Sequence, residues 1–128
     1  MRIRKAKLKD AEEISKLRIE NIKNIVSKSY GKKWTNKLLG WNSIEHTRNH
    51  IKNKNVFCMV EKNKIIGCVD LDGEKLGGLY IKSNLVNKGI GKKLLLFIED
   101  YAKKKNLKRL YLFSTKNALT FYKNLVIN

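Results

Sequence analysis

The sequence predicts an α/β fold in which a mixed, mostly antiparallel twisted sheet is flanked by helices. Two apolar runs on either side of Lys62-Asn63-Lys64 indicate a hairpin, and a long amphipathic segment from about Ile90 to Lys105 indicates a helix between two strands. Hairpin strands run antiparallel, whereas strands joined by a helix run parallel, so the sheet must be mixed. The 128 residues fit one compact domain, which we assign to residues 1–128.

The first third of the chain predicts a strand and then a helix. Residues from Ile3 to Leu8 alternate weakly between apolar and polar, which is typical of a strand. Asp10 and Glu13 have the spacing of a capping box at a helix start, and apolar residues at helical spacing extend that helix to about Val26. The segment Ser27–Gly40 is less regular, and we assign it no element.

The rest of the chain predicts a second helix and then a strand-rich half. Asn42 or Ser43 is expected to cap the second helix, which runs through Ile51. Asp72-Gly73 is a strong turn signal. Apolar runs predict strands at Val56–Glu61, Ile65–Leu71, Leu76–Ile81 and Arg109–Ser114, with a short last helix at Asn117–Lys123.

The charge of the chain admits two interpretations. Lys and Arg number 29 against 11 acidic residues, giving a net charge of +18. This charge fits a polyanionic partner, and a basic nucleic-acid-binding module is therefore one alternative function. The basic residues are scattered, however, Pro is absent, and Lys, Asn and Ile are abundant, which favours a compositional bias. No nucleic-acid recognition motif is present, so we do not expect a nucleic-acid partner.

Neither a membrane nor a metal is expected. No apolar core follows the basic start of the chain, and no stretch is long enough to span a bilayer, so we expect a cytoplasmic protein. Cys58 and Cys68, predicted on adjacent strands, are too few for a zinc site and are expected to remain thiols. His46 and His50 lie one helical turn apart without a third ligand, which favours a surface position.

The most informative stretch is the turn before the long helix. Gly89 and Gly91 allow a close approach of the backbone, and the first-turn amides of a helix lack intrahelical partners. With the helix dipole, and with Lys88, Lys92 and Lys93, these amides form a site suited to a pyrophosphate. The glycine spacing does not fit a Walker loop, and the position after the fourth strand does not fit a dinucleotide fingerprint.

Four segments together resemble the GNAT acetyltransferase superfamily. Val86-Asn87-Lys88-Gly89-Ile90-Gly91 is similar to the family's Gln/Arg-x-x-Gly-x-Gly/Ala signature between the fourth strand and the third helix. Ile65-Ile66-Gly67 resembles a frequent third-strand pattern, and Leu79-Tyr80-Ile81 resembles the fourth strand before the turn. Asn117–Tyr122 is similar to the closing region of the family, although its spacing is shorter. Val86 departs from the pattern, where Gln or Arg is usual.

This resemblance implies an N-acetyltransferase that uses acetyl-CoA as co-substrate and acts on an amine of a small molecule or a protein. The alternative is a domain that binds CoA but is catalytically impaired. The residues expected to contact the cofactor are Leu79, Tyr80, Ile81, Val86, Asn87, Lys88, Gly89, Ile90, Gly91, Lys92 and Asn117.

The resemblance also implies catalytic residues. Tyr122 aligns with the family's general acid, which protonates the CoA sulfur, although it would also serve as a core aromatic beside Phe121. Asn117 matches a CoA-contacting residue and would equally cap the last helix. Asp70 is our candidate general base, and a water relay is the alternative. Gly77-Gly78 permits either a bulge or a tight strand start.

Two further expectations concern the chain end and the acceptor. The family continues with two strands beyond the last helix, whereas this sequence ends at Asn128, so those strands are expected to be missing. The exposed edge of the fifth strand then predicts a homodimer, and a folded-back C-terminus is the alternative. In this fold the first helices shape the acceptor pocket, where Tyr30, Trp34 and Trp41 either line it or simply pack. The positive surface disfavours a polycationic acceptor.

Overall fold

The computed structural model describes residues 1–107 and 110–112. Its strands are β1 (Arg2–Lys5), β2 (Asn55–Glu61), β3 (Lys64–Asp72), β4 (Lys75–Ile81) and β5 (Tyr111–Leu112). Its helices are α1 (Ala11–Asn24), α2 (Lys32–Trp41), α3 (Ile44–Asn53) and α4 (Ile90–Lys104), with single 3-10 turns at Leu8–Asp10, Val26–Lys28 and Ser83–Leu85.

The sheet has the mixed topology that the sequence predicts. Its order is β1-β2-β3-β4-β5, with antiparallel pairing throughout except between β4 and β5, which are parallel. Lys62 and Asn63 both have positive φ, 50° and 64°, as a two-residue type I′ hairpin turn requires. Gly73, with φ of 60°, closes the turn between β3 and β4. The predicted α/β class and the hairpin are confirmed.

The two faces of the sheet carry separate apolar cores. On one face, α4 buries Leu94 and Ile98 against Phe57, Val69 and their neighbours. On the other face, α1 packs Ile14, Leu17 and Ile22 against residues of β2, β3 and β4. The sheet is thus covered on both faces, and β4 lies between the helix that begins at the glycine turn and the N-terminal helices.

Helix α2 is the main difference from the sequence-based expectation, which assigned no element to Ser27–Gly40. Trp34, Leu38 and Trp41 are spaced i, i+4, i+7 and share one face of this helix. The segment is short, and Gly40 lowers its intrinsic helix propensity, so the signal is weak in the sequence alone. The packing of the buried Leu38 supplies stabilisation that propensity does not.

The start of α1 is correct, but its predicted capping box is wrong. Asp10 makes no side-chain cap and instead accepts hydrogen bonds from the Lys7 amide at 2.8 Å and from both terminal nitrogens of Arg4 at 2.8 and 3.1 Å. These bonds, first of all that from Arg4, lower the pKa of Asp10. Glu13 accepts from the Ile65 amide at 2.7 Å and so ties α1 to β3. By contrast, Ser43 caps α3 as predicted, accepting from the His46 amide at 3.2 Å.

Cys58 and Cys68 are direct cross-strand partners in β2 and β3, as expected, and both are buried free thiols. Burial raises the pKa of Cys58 to about 11 and also raises that of Cys68. Within residues 1–107 and 110–112, no helix combines the length and the apolar character needed to cross a bilayer.

Several predictions concern residues that the structure does not describe. Tyr122, Asn117 and the predicted last helix lie outside the described residues. So does half of the predicted strand Arg109–Ser114, of which Tyr111 and Leu112 form β5 beside Lys75 and Leu76. The dimer prediction depends on the edge of that strand and stays a prediction.

Candidate functional site

A cavity of about 620 Å³ opens along β4. Residues of the glycine turn and the start of α4, among them Val86, Gly89 and Lys92, line one end, which we call the glycine end. The side chains of Tyr30, Trp34, Leu38 and Trp41 line the other end, which we call the aromatic end. The middle is lined by Asp70 and by β4 itself. One continuous space therefore connects the predicted anion site to the N-terminal helices.

The glycine end is built by backbone conformation. Gly89 is the N-cap of α4 with φ of 83°, a left-handed conformation that side chains disfavour, and a Cβ there would contact nothing within 4 Å. A Cβ at Gly91 would lie 3.6 Å from the Leu79 side chain. Both glycines are at the N-terminus of the long helix, as predicted. The first-turn amides, which have no intrahelical acceptors, and the helix dipole make this end a suitable anion site.

The middle of the cavity is shaped by a bulge in β4. Leu71 pairs with Leu76 and Val69 with Leu79, so two residues of β4, Gly77 and Gly78, stand opposite Asp70 alone. A Cβ on Gly77 would lie 3.0 Å from the Asp70 Cβ. On Gly78, a Cβ would overlap the Tyr80 ring. A side chain at Gly78 would therefore displace the buried Tyr80 ring, and one at Gly77 would press against Asp70. Of the two predicted alternatives, the bulge is confirmed.

Beyond the bulge, one edge of β4 has no strand partner among the residues that the structure describes. The Lys82 amide donates to the Ile66 carbonyl at 2.9 Å, and antiparallel alternation then directs the backbone groups of Ile81 and Leu79 away from β3. Within the described part of the chain, β5 pairs with β4 only at Lys75 and Leu76. The Asn21 side chain donates to the Ile81 carbonyl at 2.6 Å. The remaining groups of this open edge face the cavity side of the strand.

Behind the bulge lies a buried ion pair that the sequence analysis missed. Arg18 of α1 is fully buried, and its guanidinium donates to Oδ1 of Asp70. Burial opposes the charge of the guanidinium, but the neighbouring acidic groups, Asp70 first, outweigh it and leave the pKa of Arg18 raised. The same guanidinium lies 5.8 Å from the centroid of the Tyr80 ring. Burial raises the pKa of Tyr80 to about 12, so its phenol stays neutral.

His50 of α3 completes this cluster as a neutral side chain. Arg18 approaches its Nδ1 at 3.1 Å, and because a guanidinium can only donate, this nitrogen must be the acceptor and the proton resides on Nε2. Burial lowers the pKa of His50, with Asp70 opposing and Arg18 reinforcing the effect. Oδ2 of Asp70 lies 3.9 Å from the same Nδ1, beyond hydrogen-bond distance. His46 is exposed, as predicted, whereas His50 is half-buried and lines the cavity.

The aromatic end is a wall built mainly by α2. The rings of Trp34 and Trp41 are arranged edge to face, with centroids 5.6 Å apart and planes at 87°. They remain 37% and 46% exposed, which is unusual for side chains of this size. Tyr30 and Leu38 line the cavity beside them. All three aromatic residues line this cavity, and two of them also pack on each other; that the cavity receives the acceptor stays a prediction.

Most of the predicted cofactor-contacting residues line the cavity: Leu79, Tyr80, Ile81, Val86, Asn87, Gly89, Gly91 and Lys92. Tyr80 contributes its ring, because its backbone groups face β3. Two of the predicted residues do not line it: Ile90, the first residue of α4, packs into the core, and Lys88 is exposed on the turn. The candidate base, Asp70, lines the middle of the cavity. No group of three or more His, Cys, Asp or Glu residues that would hold a metal occurs in the described ranges.

The missed residues did leave a signal. Arg18 follows Ile14 by four residues, and Asn21 follows Leu17 by four, so both occupy the apolar face of α1. Asp70 likewise interrupts a strand that is otherwise apolar. A buried charge requires a partner of opposite charge. Two such buried residues, Arg18 and Asp70, are therefore candidates to pair with each other.

The sequence was compared with models of protein families and with curated proteins. The family model for the acetyltransferase (GNAT) family matches residues 19–125. No curated protein matches the sequence significantly.

Among solved structures, the chain is similar to a GCN5-related N-acetyltransferase from Rhodopseudomonas palustris, with a TM-score of 0.87 at 15% identity, covering 95% of this chain and 78% of that one. It is also similar to the PaiA N-acetyltransferase from Thermoplasma acidophilum in complex with coenzyme A, with a TM-score of 0.80 at 24% identity, covering 95% and 86%. A GNAT-family acetyltransferase from Staphylococcus aureus gives a TM-score of 0.66 at 23% identity, covering 96% and 81%. At these identities the similarity establishes the fold alone.

Proposed function

Because the chain belongs to the acetyltransferase (GNAT) family, we propose that it transfers an acetyl group from acetyl-CoA to an amine. The observation that supports this most directly is the position of two features on one cavity. The left-handed Gly89 N-cap offers free helix amides, and the open edge of β4 offers strand-like hydrogen bonds. An anion at one and an extended amide chain at the other are the two requirements of a CoA thioester.

The residues at the glycine end fit the cofactor. The amides that follow Gly89, with the nearby charge of Lys92, would hold the pyrophosphate, and the absence of a Cβ at Gly89 and Gly91 leaves the space for it. The outward backbone groups of Leu79 and Ile81 would hold the pantetheine arm. Asn21 already occupies the Ile81 carbonyl, so it fixes which groups of that edge remain for a ligand. Bound acetyl-CoA supplies an electrophilic carbonyl and a thiolate leaving group.

The chain's own groups then have distinct tasks. An amide on the open edge of β4 stabilises negative charge on the acetyl oxygen, an interaction that typically contributes a few kcal/mol. The amine nitrogen bonds to the acetyl carbon as the carbon–sulfur bond breaks. Tyr122, which lies outside the described residues, donates a proton to the departing sulfur.

Asp70 is the proposed acceptor of the amine proton. Its Oδ1 is engaged by Arg18, whereas Oδ2 is not and belongs to a residue that lines the cavity. Transfer of the proton through water is the alternative. His50 does not compete for this role, since its Nδ1 is used by Arg18.

The remaining expectations are proposals of the same kind. A cytoplasmic location agrees with the use of acetyl-CoA. A homodimer would follow if the edge beyond β5 stays uncovered, and light scattering coupled to size exclusion measures it directly. A mass near that of the 14.9 kDa chain at all concentrations would exclude the dimer.

Calorimetry with acetyl-CoA and with CoA tests the proposal. We expect both ligands to bind with dissociation constants well below millimolar, and an amine to be acetylated when it is added. Failure of both ligands to bind at about 1 mM would overturn the proposed function. Binding without turnover of any amine would instead identify a catalytically impaired CoA-binding domain.

A further inference from the structure

The aromatic end of the cavity carries more apolar surface than catalysis requires. Trp34 and Trp41 stand edge to face at its mouth and remain partly exposed, although burying them would be favourable. Ile25, Val26 and Leu38 extend the same apolar lining inward. Exposed aromatic surface inside a concave site is typical of a place where a ligand supplies the missing contacts.

The charges of the cavity restrict what that ligand is. Among the described lining residues, the carboxylates are Asp70 and Asp72. Asp70 is neutralised by Arg18, and Asp72 is the direct cross-strand partner of Lys75. Lys54 lines the cavity as well and adds positive charge. A ligand with several ammonium groups would therefore face these two carboxylates together with Lys54, Lys75, Lys92 and the buried Arg18, so the charges around it are positive on balance.

From these observations, and resting on the proposed acetyl transfer, we propose that the acceptor is a small primary monoamine with a single apolar, preferably aromatic, body. The body packs against Trp34 and Trp41, and the amine points toward Asp70 and the bulge of β4. Both groups line one cavity, so a molecule that fills the space between them would contact both. Polyamines and aminoglycosides are excluded by the same charges.

The reaction of such an acceptor balances without a further reagent. The ammonium form is bound first and loses one proton to Asp70 or to water. The free nitrogen then bonds to the acetyl carbon of the thioester and the carbon–sulfur bond breaks. The sulfur takes up one proton, and the nitrogen loses its second proton to solvent. The products are an N-acetyl amide and CoA.

The composition of the chain makes the binding step directly measurable. Its 2 tryptophans are Trp34 and Trp41, so intrinsic tryptophan fluorescence reports on the aromatic end alone. The probes are 2-phenylethylamine, n-propylamine and spermidine, each titrated with and without CoA. We expect a saturable fluorescence change with 2-phenylethylamine, at least a 10-fold weaker response with n-propylamine, and no saturation with spermidine. With acetyl-CoA, the same order is expected for kcat/KM.

Variants separate wall contacts from general effects. Trp34→Ala should weaken the affinity for 2-phenylethylamine at least 5-fold, whereas Trp34→Phe, which keeps an aromatic ring, should retain most of it. Leu96 is 54% exposed on α4 and does not line the cavity, so Leu96→Ala is the matched control and should change nothing.

The outcomes distinguish this inference from the proposed function. Spermidine bound or acetylated as well as 2-phenylethylamine, or no fluorescence change with any amine, would overturn the inference while acetyl-CoA binding by calorimetry stands. Amine binding in a protein that binds no acetyl-CoA would overturn the proposed function and, with it, the acceptor role of the aromatic end.

Discussion

The two ends of the cavity are built by different means. The glycine end consists of backbone: a left-handed Gly89, the amides of a helix start and the open edge of a strand. The aromatic end consists of side chains from α2 and from the segment just before it, which are distant from β4 in the sequence. The first is fixed by conformation within one short stretch, whereas the second exists only after the helices have packed.

This difference explains what each end is able to do. Backbone groups do not change when a side chain is substituted, so a site built from them keeps the same ligand. A side-chain site varies with every substitution and therefore determines which acceptor fits. The Arg18–Asp70 pair lies at the boundary, since it belongs to α1 and β3 and faces the middle of the cavity. Changes on either side of that boundary should have separable effects.

The largest effect should follow from breaking the buried ion pair. Arg18→Met leaves Asp70 charged and unpaired in a buried site, which typically costs about 3–5 kcal/mol of folding free energy. Urea denaturation measures the loss. The double variant Arg18→Met/Asp70→Asn should recover part of it, and the single variant, where folded, should keep its affinity for acetyl-CoA. A loss below about 1 kcal/mol would mean that the pair does not stabilise the fold.

The next largest effect concerns the glycine end. Gly91→Glu adds bulk and a negative charge at the start of α4, and repulsion at this position should weaken CoA binding at least ~100-fold. Gly40→Glu is the matched control, because a Cβ at either glycine meets no clash, but Gly40 lies on α2. Calorimetry on both variants decides the matter. Equal affinity of the Gly91 variant and the parent chain would remove the glycine turn from the cofactor site.

A third effect is expected from Tyr122, outside the described residues. Tyr122→Phe should lower kcat about 100-fold with little change in the KM for acetyl-CoA, since a proton donor acts mainly in the transition state. Steady-state kinetics over a range of pH measures both constants. Full turnover across that range would reduce Tyr122 to a packing residue.

The smallest effect is a pH dependence of stability from His50. Burial lowers its pKa in the folded protein, so above about pH 6.5 both states are neutral and the contribution is fully present. As the pH falls through about 6.5, the unfolded chain takes up the proton first and stability decreases. His50→Gln, which keeps an acceptor for Arg18, should remove this loss between pH 7 and 5. Asp10, with its lowered pKa, titrates well below that window.

The sequence predicts the strands, the turns and the glycine end because each depends on neighbouring residues. Lys62-Asn63 and Gly73 define their turns locally. The left-handed conformation of Gly89 likewise depends on that residue alone. It does not predict α2, where packing rather than propensity stabilises ten residues. It predicts Asp70 as a site residue but not its partner, since Arg18 lies 52 positions away and only the fold brings them together.

The cross-strand cysteines give this protein a practical property. Cys58 and Cys68 are both buried at the centre of the sheet, and burial raises the pKa of each thiol, so neither offers an accessible thiolate to a reagent in solution. The thiol that acetyl transfer would release can thus be followed with a disulfide dye without a background from the folded enzyme. The slow rate at which the two cysteines are labelled would in turn measure how often the sheet opens by local unfolding.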